Sequence, residues 1–560
     1  MTAIRETLRS KGIWPISTDN RLSLRAGFCL TSLIVLGIIF HQRSYSSAMA
    51  LGTLWAIGQD GSDRWRQRGP RILGVAVSAG VGVFVGAEFV AHVAGPTAVV
   101  VLLGIMAIIA GIIEASMYSA QGMYLLIGAI IGAGLGFKGH VWQSALCFVL
   151  GATWLYFVAA LTDWRGYTKD QRYVLAHAFN VLALRLSSPD SGEAIRARTV
   201  RAIDAAQDAI GVVPLNKQSA DAVALRQCLI VAMQLGELSW YLNDKKIIAG
   251  QELKSALHAV AACLRADGAK PAVTLLNDFA LSLQGENTAV TRALKPPTSS
   301  TLPEGQSFKS TLRRLPATDR IRFAFILSIA LIIATIVTHI LDGPRGYWLP
   351  MSVAFIFRPD LGPVVKRALN RTAGTLAGVS IAALVAFTGN QEWLLIVLCF
   401  IMAGGIPWAQ KRSHAVVIMF FTPIIFVFIS VLGPDTNLFW PRIIDTAIAA
   451  GIVLFIDYFI WLHAPSLRPQ QLTDAAQIAL DRYGEMTPSS DTMTRHLRRR
   501  RAIRAVLLAR GSLAQSQKET HLLEEATESL PQRLDAMEAR INKITVTLIE
   551  GHGDFATDLT

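Results

Sequence analysis

Apolar residues along the chain are concentrated in two blocks, at about residues 22–163 and 319–464. Within each block, apolar runs of helical length alternate with short polar breaks. A helix needs about 20 apolar residues to cross a hydrocarbon core of about 30 Å, so each block has room for about six crossings. The pattern predicts an all-α polytopic membrane protein with about 12 transmembrane helices.

One run in each block is too short to span a bilayer comfortably, at residues 47–58 and 345–357. Both runs occupy the second place in their block. A short segment marked by Gly or Pro at corresponding positions of two halves is typical of a broken or tilted helix at a binding site. We therefore expect a solute to bind beside these two segments.

The two blocks also resemble each other at a constant offset of about 300 residues, which is the signature of an internal repeat. This offset places Asp60 on Asp360 and Arg71 on Arg371. Two pairs of glycines coincide as well, Gly74 with Gly374 and Gly151 with Gly451. With an even number of crossings in each half, the sequence predicts two parallel six-helix repeats.

Charge agrees with a membrane location. Only 17% of the residues are charged, against about 25% in soluble globular proteins, which argues against an ordinary soluble enzyme. The net charge of +13 reflects an excess of Lys and Arg over Asp and Glu. The Lys and Arg residues of the short loops all fall on one side of the predicted membrane. We expect that side to be cytoplasmic, together with segments 1–21, 164–318 and 465–560. Nucleic acid is not an expected partner.

Two polar regions accompany the membrane blocks. Residues 164–318 show helical spacing and end in a Pro- and Ser-rich linker, which predicts a cytoplasmic helical domain. Residues 465–560 predict a helical C-terminal region, with a strongly basic stretch from Arg495 to Arg510. The charge of that stretch favours a solvated helix that faces the negative inner leaflet. The alternative is that the stretch binds anionic lipid headgroups or RNA.

The sequence contains no motif of a familiar enzyme. It has no GxxxxGK[ST] phosphate loop, no HExxH or GxSxG, and no paired Cys and His cluster. We therefore expect neither enzymatic activity nor a cofactor or metal, and no ATP-driven transport by this chain alone.

The stretch from Tyr347 carries the most informative pattern. A short apolar helix leads into Arg358-Pro-Asp360, and an arginine, Arg371, then precedes Gly374-Thr-Leu-Ala-Gly378. This stretch resembles the fusaric acid resistance and aromatic acid exporter family, and the first half repeats it more loosely. The resemblance implies an efflux protein of the bacterial inner membrane, driven by the proton gradient and exporting aromatic carboxylic acids or other toxic organic anions. It also implies a periplasmic adaptor as a frequent partner, while a homo-oligomer is left open.

An aromatic carboxylate needs a cation or helix N-terminus for its charge and a ring surface for its body. Arg71 and Arg371 are expected at the N-terminal ends of the third and ninth helices, with aromatic residues beside them. The predicted substrate path comprises Arg25, Trp55, Asp60, Arg71, Arg322, Tyr347, Trp348, Phe357, Asp360 and Arg371.

Simpler roles are open for the same residues. In this alternative, the arginines fix the orientation of the protein in the membrane, and the aromatic residues form a belt at the membrane–water interface. Asp60 and Asp360 then pair with their own arginines across the loop, and Arg25 and Arg322 extend to the cytoplasmic interface.

Proton coupling requires a titratable group inside the membrane, and Asp457, Asp445 and Glu88 are the candidates. Arg442 precedes Asp445 by three residues on one helical face, so a local ion pair is the alternative for that aspartate. Two other functions stay open for the protein. A passive anion channel would need the arginines without a titrating carboxylate, and a membrane sensor or scaffold would act through the polar regions.

Overall fold

Every regular element in the part of the chain that the structure describes is an α-helix. This confirms the all-helical prediction. The computed structural model describes residues 18–61, 65–93, 95–117, 121–135, 141–163, 167–186, 193–210, 220–244, 251–282, 288–295, 317–342, 345–357, 364–387, 391–410, 412–432, 438–461, 467–487, 490, 492–519 and 529–550.

The helices are numbered in chain order. The first six are α1 Thr18–Ile39, α2 Arg43–Ile57, α3 Trp65–His92, α4 Pro96–Met117, α5 Gln121–Leu135 and α6 Val141–Asp163. The next six are α7 Tyr167–Leu186, α8 Glu193–Ile210, α9 Ala220–Asp244, α10 Gln251–Ala266, α11 Ala269–Ser282 and α12 Thr288–Leu294. They are followed by α13 Ala317–Leu341, α14 Trp348–Ile356, α15 Val364–Ala386, α16 Glu392–Ala409, α17 His414–Leu432 and α18 Phe439–Trp461. The last three are α19 Leu467–Gly484, α20 Thr492–Glu519 and α21 Ser529–Glu550.

These helices belong to two compact units. The membrane unit consists of Met1–Arg165 and Arg313–His463, and the polar unit of Gly166–Leu312 and Ala464–Thr560. The middle and C-terminal regions, which the sequence treats as separate segments, therefore fold into one body.

Helix length divides the membrane unit into spanning and short helices. Among its described helices, all except α2, α5 and α14 contain a window long and apolar enough to cross a bilayer. Helices α2 and α5 have 15 residues each and α14 has 9. At 1.5 Å per residue these lengths are about 22 and about 14 Å, well short of about 30 Å. The two short segments expected from the sequence are thus present as α2 and α14.

The outer surface of the membrane unit is apolar. Large apolar side chains are exposed along its helices, including Phe387 at 89%, Ile340 at 75% and Trp440 at 74%. Soluble proteins do not expose contiguous apolar surface on this scale, because water solvates it poorly. This surface is suited to contact with lipid chains.

Helices α1–α6 and α13–α18 pack among themselves in the same pattern. Helix α3 packs on α5 and α6, as α15 packs on α17 and α18. The short helix α2 packs on α6, as α14 packs on α18. Across the two halves, α1 packs on α16 and α13 on α4, so exchanging the halves reproduces both contacts.

Glycines allow α3 and α5 to cross with their backbones in contact. A Cβ atom placed on Gly128 would lie 2.3 Å from the carbonyl oxygen of Ala79, and one on Gly82 would lie 2.1 Å from that of Leu125. No side chain fits at these distances, so the crossing requires glycine at both positions. The glycine spacing in the sequence therefore serves helix packing.

In the polar unit, α9 is a central core helix. By length and composition α9 could also cross a membrane, but 83% of its apolar window is buried inside the protein. It packs against α7, α8, α11, α12 and α21, which cover its apolar surface. A helix that is hydrophobic on all sides can be buried by protein as well as by lipid, and here protein buries it.

Candidate functional site

Asp60, just beyond the end of α2, holds two buried arginines. Its Oδ2 atom accepts from Arg25 Nε at 2.7 Å and lies 2.6 Å from Arg25 Nη2, and its Oδ1 lies 2.5 Å from Arg68 Nη1. All three side chains are at most 4% exposed. Arg25 Nη1 also donates to the Thr162 hydroxyl at 3.1 Å. This cluster joins α1, α2, α3 and α6, and each of its two guanidiniums pairs with the same carboxylate.

The cluster changes two expectations from the sequence. Asp60 pairs with Arg68 and not with Arg71, whose side chain is exposed. The reason is that α3 begins at Trp65, about two turns before the expected start, which brings Arg68 into the helix and onto its inner face. Arg25 is 4% exposed and bound to Asp60, so it does not extend to an interface.

Trp55, near the end of α2, lies in an aromatic core. It is 5% exposed, and its ring centroid lies 5.5 Å from that of Tyr124 and 5.4 Å from that of Phe148. It is therefore a packing residue of the first half in this structure and not part of an interfacial belt.

In the second half, Arg442 and Trp348 bring the N-terminal ends of two helices together. Trp348 opens the short helix α14, and Arg442 lies in the first turn of α18. The guanidinium carbon Cζ of Arg442 lies 5.1 Å from the centroid of the Trp348 ring. Phe426 of α17 also contacts Trp348, with its ring centroid 6.1 Å from that of Trp348 in an edge contact.

Arg442 is buried without a polar partner. Its side chain is 2% exposed, and neither Nε nor Nη1 makes a hydrogen bond with the described residues. The expected ion pair between Arg442 and Asp445 is likewise not formed, although the two residues lie one turn apart on α18. Burial of a guanidinium without an anion costs several kcal/mol, of which a desolvated cation–π contact recovers about 2. The surroundings of Arg442 therefore favour the binding of an anion.

Arg371 makes a second contact between a buried guanidinium and an aromatic ring. It is 1% exposed, and its Cζ lies 4.5 Å from the centroid of the Phe355 ring, which makes an edge contact with Phe421. However, α15 begins at Val364, so Arg371 lies about two turns inside the helix. The expectation that Arg71 and Arg371 stand at helix N-termini is wrong, because both helices begin earlier than the apolar runs suggest.

The other predicted path residues have varied surroundings. Tyr347 packs against α5, since a Cβ on Gly134 would lie 2.4 Å from the Tyr347 Cβ, so it touches the opposite half. Phe357 is 4% exposed and stacks on Phe323 of α13. Arg322 is half-buried on α13. Asp360 lies outside the described residues.

The three candidate proton carriers differ in location. Asp445 and Asp457 are half-buried on α18, the helix that also carries Arg442. Glu88 is 44% exposed near the end of α3, where its carboxylate lies 3.4 Å from the ring of His92. Asp445 and Asp457 are therefore closer to the unpaired arginine along the chain. Within the described ranges, no three His, Cys, Asp or Glu side chains are grouped as metal ligands would be.

The sequence pattern assigned Arg442 only a local partner and gave Arg68 no role beyond that of the other basic residues in short loops. Arg442 carried a usable signal, since an arginine inside an apolar run is rare and is by default a functional candidate. Phe426 carried none, because a phenylalanine in a run of apolar residues does not reveal its partner.

The comparison with known families bears on this half of the membrane unit. Residues 329–456, which include Trp348, Arg371 and Arg442, match the family described as fusaric acid resistance protein-like. The resemblance stated from the sequence is thus confirmed for this segment.

Individual relatives agree with a membrane location. The inner membrane protein YccS of Escherichia coli strain K12 is 27% identical over 148 residues, 26% of this chain and 20% of that protein. The uncharacterized transporter YdhK of the same strain is 33% identical over 89 residues, 16% of this chain and 13% of that protein. The matches thus span about a fifth of these relatives or less, and no solved structure matches the chain. With its apolar helices, this chain is a multi-pass inner-membrane protein.

Proposed function

We propose that the protein is a secondary transporter that exports organic anions across the inner membrane, with aromatic carboxylic acids as the main substrate class. The observation that carries this proposal is Arg442, a buried guanidinium that lies against a buried tryptophan and forms no ion pair with the described residues. A carboxylate would satisfy the guanidinium, and an aromatic ring would pack on the rings of Trp348 and Phe426. The relative named as a transporter supports the general role.

Helix ends strengthen the argument. Arg442 lies in the first turn of α18 and Trp348 in the first turn of α14, so two helix N-termini meet beside the guanidinium. Each N-terminus carries a partial positive charge of about half an elementary charge. Short helices whose N-termini point at an anionic substrate group are a recurring feature of secondary transporters.

We propose that the two halves are parallel six-helix repeats, with the substrate held between them near the short helices α2 and α14. The matching packing patterns and the reciprocal contacts of α1 with α16 and α13 with α4 support this arrangement. The contact of Tyr347 with α5 supports a site near the boundary between the halves. The termini and the polar unit are then cytoplasmic, as the basic loops suggest.

The energy source in this proposal is the proton gradient, with Asp445 and Asp457 as the proton carriers. Both stand on the helix that holds Arg442, so protonation and anion binding would act on the same element. A periplasmic adaptor would be a separate chain. The first-half cluster of Arg25, Asp60 and Arg68 has a structural role here, because both guanidiniums are paired with Asp60.

The test is export of benzoate and its hydroxylated derivatives from loaded bacterial cells, with and without the chain and with and without an uncoupler. The proposal predicts faster export that collapses with the uncoupler, and a loss of the uncoupler-sensitive part in Asp457→Asn or Asp445→Asn. Export that is faster but insensitive to the uncoupler would indicate a passive channel instead. No difference between cells with and without the chain would contradict the proposal.

A further inference from the structure

An apolar groove lies between α13 and α18 on the outer surface of the membrane unit. Its cavity volume is about 400 Å³. This volume is within the range of small-molecule sites in proteins, about 300–1,000 Å³. The groove is lined by Ile333 of α13 and by Ile448, Gly451, Ile452, Phe455 and Ile456 of α18.

The groove is open to the surroundings of the unit. Gly451 and Phe455 are exposed, and a Cβ atom added to Gly451 would contact nothing within 4 Å. All six lining residues are apolar, so the groove offers an ordered water no side-chain hydrogen bond. In a multi-pass inner-membrane protein such a surface faces lipid. The occupant is therefore apolar and comes from the bilayer.

The first half fills the corresponding region with its own side chains. Helices α1 and α6 pack on each other, as α13 and α18 do. Trp154 of α6 bridges that pair, because its Nε1 donates to the hydroxyl of Ser32 at 3.2 Å and its ring centroid lies 6.4 Å from that of Phe28. The groove between α13 and α18 is the space that such an indole would fill. It is a feature of the second half and not of the shared packing pattern.

Two polar side chains continue the two walls of the groove. Arg322 lies on the same face of α13 as Ile333 and about three turns nearer the helix start, because 11 residues separate them. Tyr458 lies on the same face of α18 as Gly451, about two turns nearer the helix end, and is 65% exposed.

Arg322 and Tyr458 lie at the same end of the groove, because α13 and α18 run in opposite directions. Near the end of α13, the hydroxyl of Thr338 donates to the carbonyl oxygen of Gly346 at 3.2 Å. Trp348, two residues further on, packs against Arg442 at the start of α18. The end of α13 is therefore beside the start of α18, and the start of α13 is beside the end of α18.

The distance along α13 matches one leaflet of a bilayer. At 1.5 Å per residue, Arg322 and Ile333 are about 16 Å apart, and half of a hydrocarbon core is about 15 Å. A guanidinium has five N–H donors, so Arg322 can donate to a phosphate in addition to a protein acceptor. Tyrosine is common at the membrane–water interface, where its hydroxyl contacts headgroups. The groove thus fits an acyl chain with its phosphate at the Arg322 end.

We propose that this groove binds one phospholipid of the surrounding bilayer, with an acyl chain against Gly451 and Ile333 and the phosphate beside Arg322 and Tyr458. The chain occupies the space that Trp154 fills in the first half, and it joins α13 to α18. The proposal does not rest on transport, because retention of a lipid is measured without any flux.

The test is native mass spectrometry of the full chain purified in detergent. The wild type is expected to retain one phospholipid more per chain than Gly451→Leu, whose side chain occupies the groove. Ala377→Leu is the matched control, because Ala377 is an exposed small residue of α15 outside the groove, and it should retain lipid as the wild type does. Phosphatidylethanolamine or phosphatidylglycerol added to delipidated protein should restore the phospholipid in the wild type and not in Gly451→Leu.

A second variant keeps the test valid if Gly451→Leu does not fold. Ile333→Trp fills the groove from the α13 side and should lose the same phospholipid. The proposal is overturned if the wild type and both groove variants retain equal numbers of phospholipids, or if Ala377→Leu loses one as well. It is also overturned if the retained molecule has the mass of a free fatty acid. A wild-type dimer that becomes a monomer in Gly451→Leu would assign the groove to a second copy of the chain instead.

Discussion

Arg442 lies over the ring of Trp348, with its guanidinium carbon 5.1 Å from the ring centroid and both side chains at most 2% exposed. This contact joins the first turn of α18 to the first turn of the short helix α14. It places a buried guanidinium that forms no ion pair with the described residues beside an aromatic surface, in the segment that matches the fusaric acid resistance protein-like family. In the first half, the offset of about 300 residues places Trp142 at the position of Arg442, and the buried arginines Arg25 and Arg68 pair with Asp60 beyond the other end of α2. The two halves share a packing pattern but differ in their charge.

The cluster around Asp60 should be required for stability. Asp60→Asn removes the carboxylate between Arg25 and Arg68 and leaves two buried guanidiniums without their anion, at an expected cost of about 3–5 kcal/mol. Glu392→Gln is the control, because it breaks an exposed pair with Arg43 worth about 0–1 kcal/mol. Thermal unfolding in detergent measures both. Equal melting temperatures for the two variants would show that the cluster is not structural.

The crossing of α3 and α5 should tolerate no side chain at Gly128. Gly128→Ala places a Cβ 2.3 Å from the carbonyl oxygen of Ala79, which forces the helices apart at an expected cost of about 1–3 kcal/mol. Gly451→Ala is the matched control in the same unit, since no atom lies within 4 Å of its added Cβ. The midpoint of thermal unfolding should fall only for Gly128→Ala, and an unchanged midpoint would mean that the two helices are less close than described.

The polar unit should lose stability in acid through Glu237. Burial alone would raise the pKa of this carboxyl, but His496, Arg499 and Arg495 outweigh it and hold the pKa below its ordinary value of 4.5. A carboxyl with a lowered pKa in the folded state contributes stability above the ordinary value. That contribution is lost as the pH falls below about 4.5 toward the folded pKa.

Hydrogen exchange of α9 peptides, corrected for intrinsic rates, measures this effect across pH 3 to 6. Protection in the wild type should fall more steeply below about pH 4.5 than protection in Glu237→Gln. Glu485→Gln removes an exposed carboxyl and should follow the wild type. Identical profiles for the wild type and Glu237→Gln would remove Glu237 from the account.

The sequence predicts the helices well because their signal is local. The apolar runs fix the existence of each membrane helix, and the short runs at 47–58 and 345–357 appear as α2 and α14. Helix starts are less well predicted, since α3 begins within the charged segment that precedes its apolar run. Because α3 begins earlier than predicted, Asp60 pairs with Arg68, whereas the sequence pattern suggested Arg71.

Contacts between distant segments were beyond the sequence pattern. The pairs of Asp204 with Arg500 and of Glu237 with His496 join residues more than 250 positions apart, and no local spacing signals them. The basic stretch was therefore interpreted as a solvated face. The sequence pattern placed Trp348 beside Arg371. In the structure the guanidinium over the Trp348 ring is that of Arg442, which only the packing of α14 on α18 reveals.

The most direct test of the central claim is the initial rate of benzoate transport by purified protein in proteoliposomes, compared between Arg442→Gln and Arg412→Gln. Arg412 also lies over a tryptophan, with its Cζ 4.1 Å from the Trp408 ring, but its side chain is exposed. Loss of a charged hydrogen-bonding partner predicts a rate reduced by about tenfold or more for Arg442→Gln, and a rate within about twofold of wild type for Arg412→Gln. A folded Arg442→Gln protein that transports at the wild-type rate would contradict the claim that Arg442 binds the substrate anion.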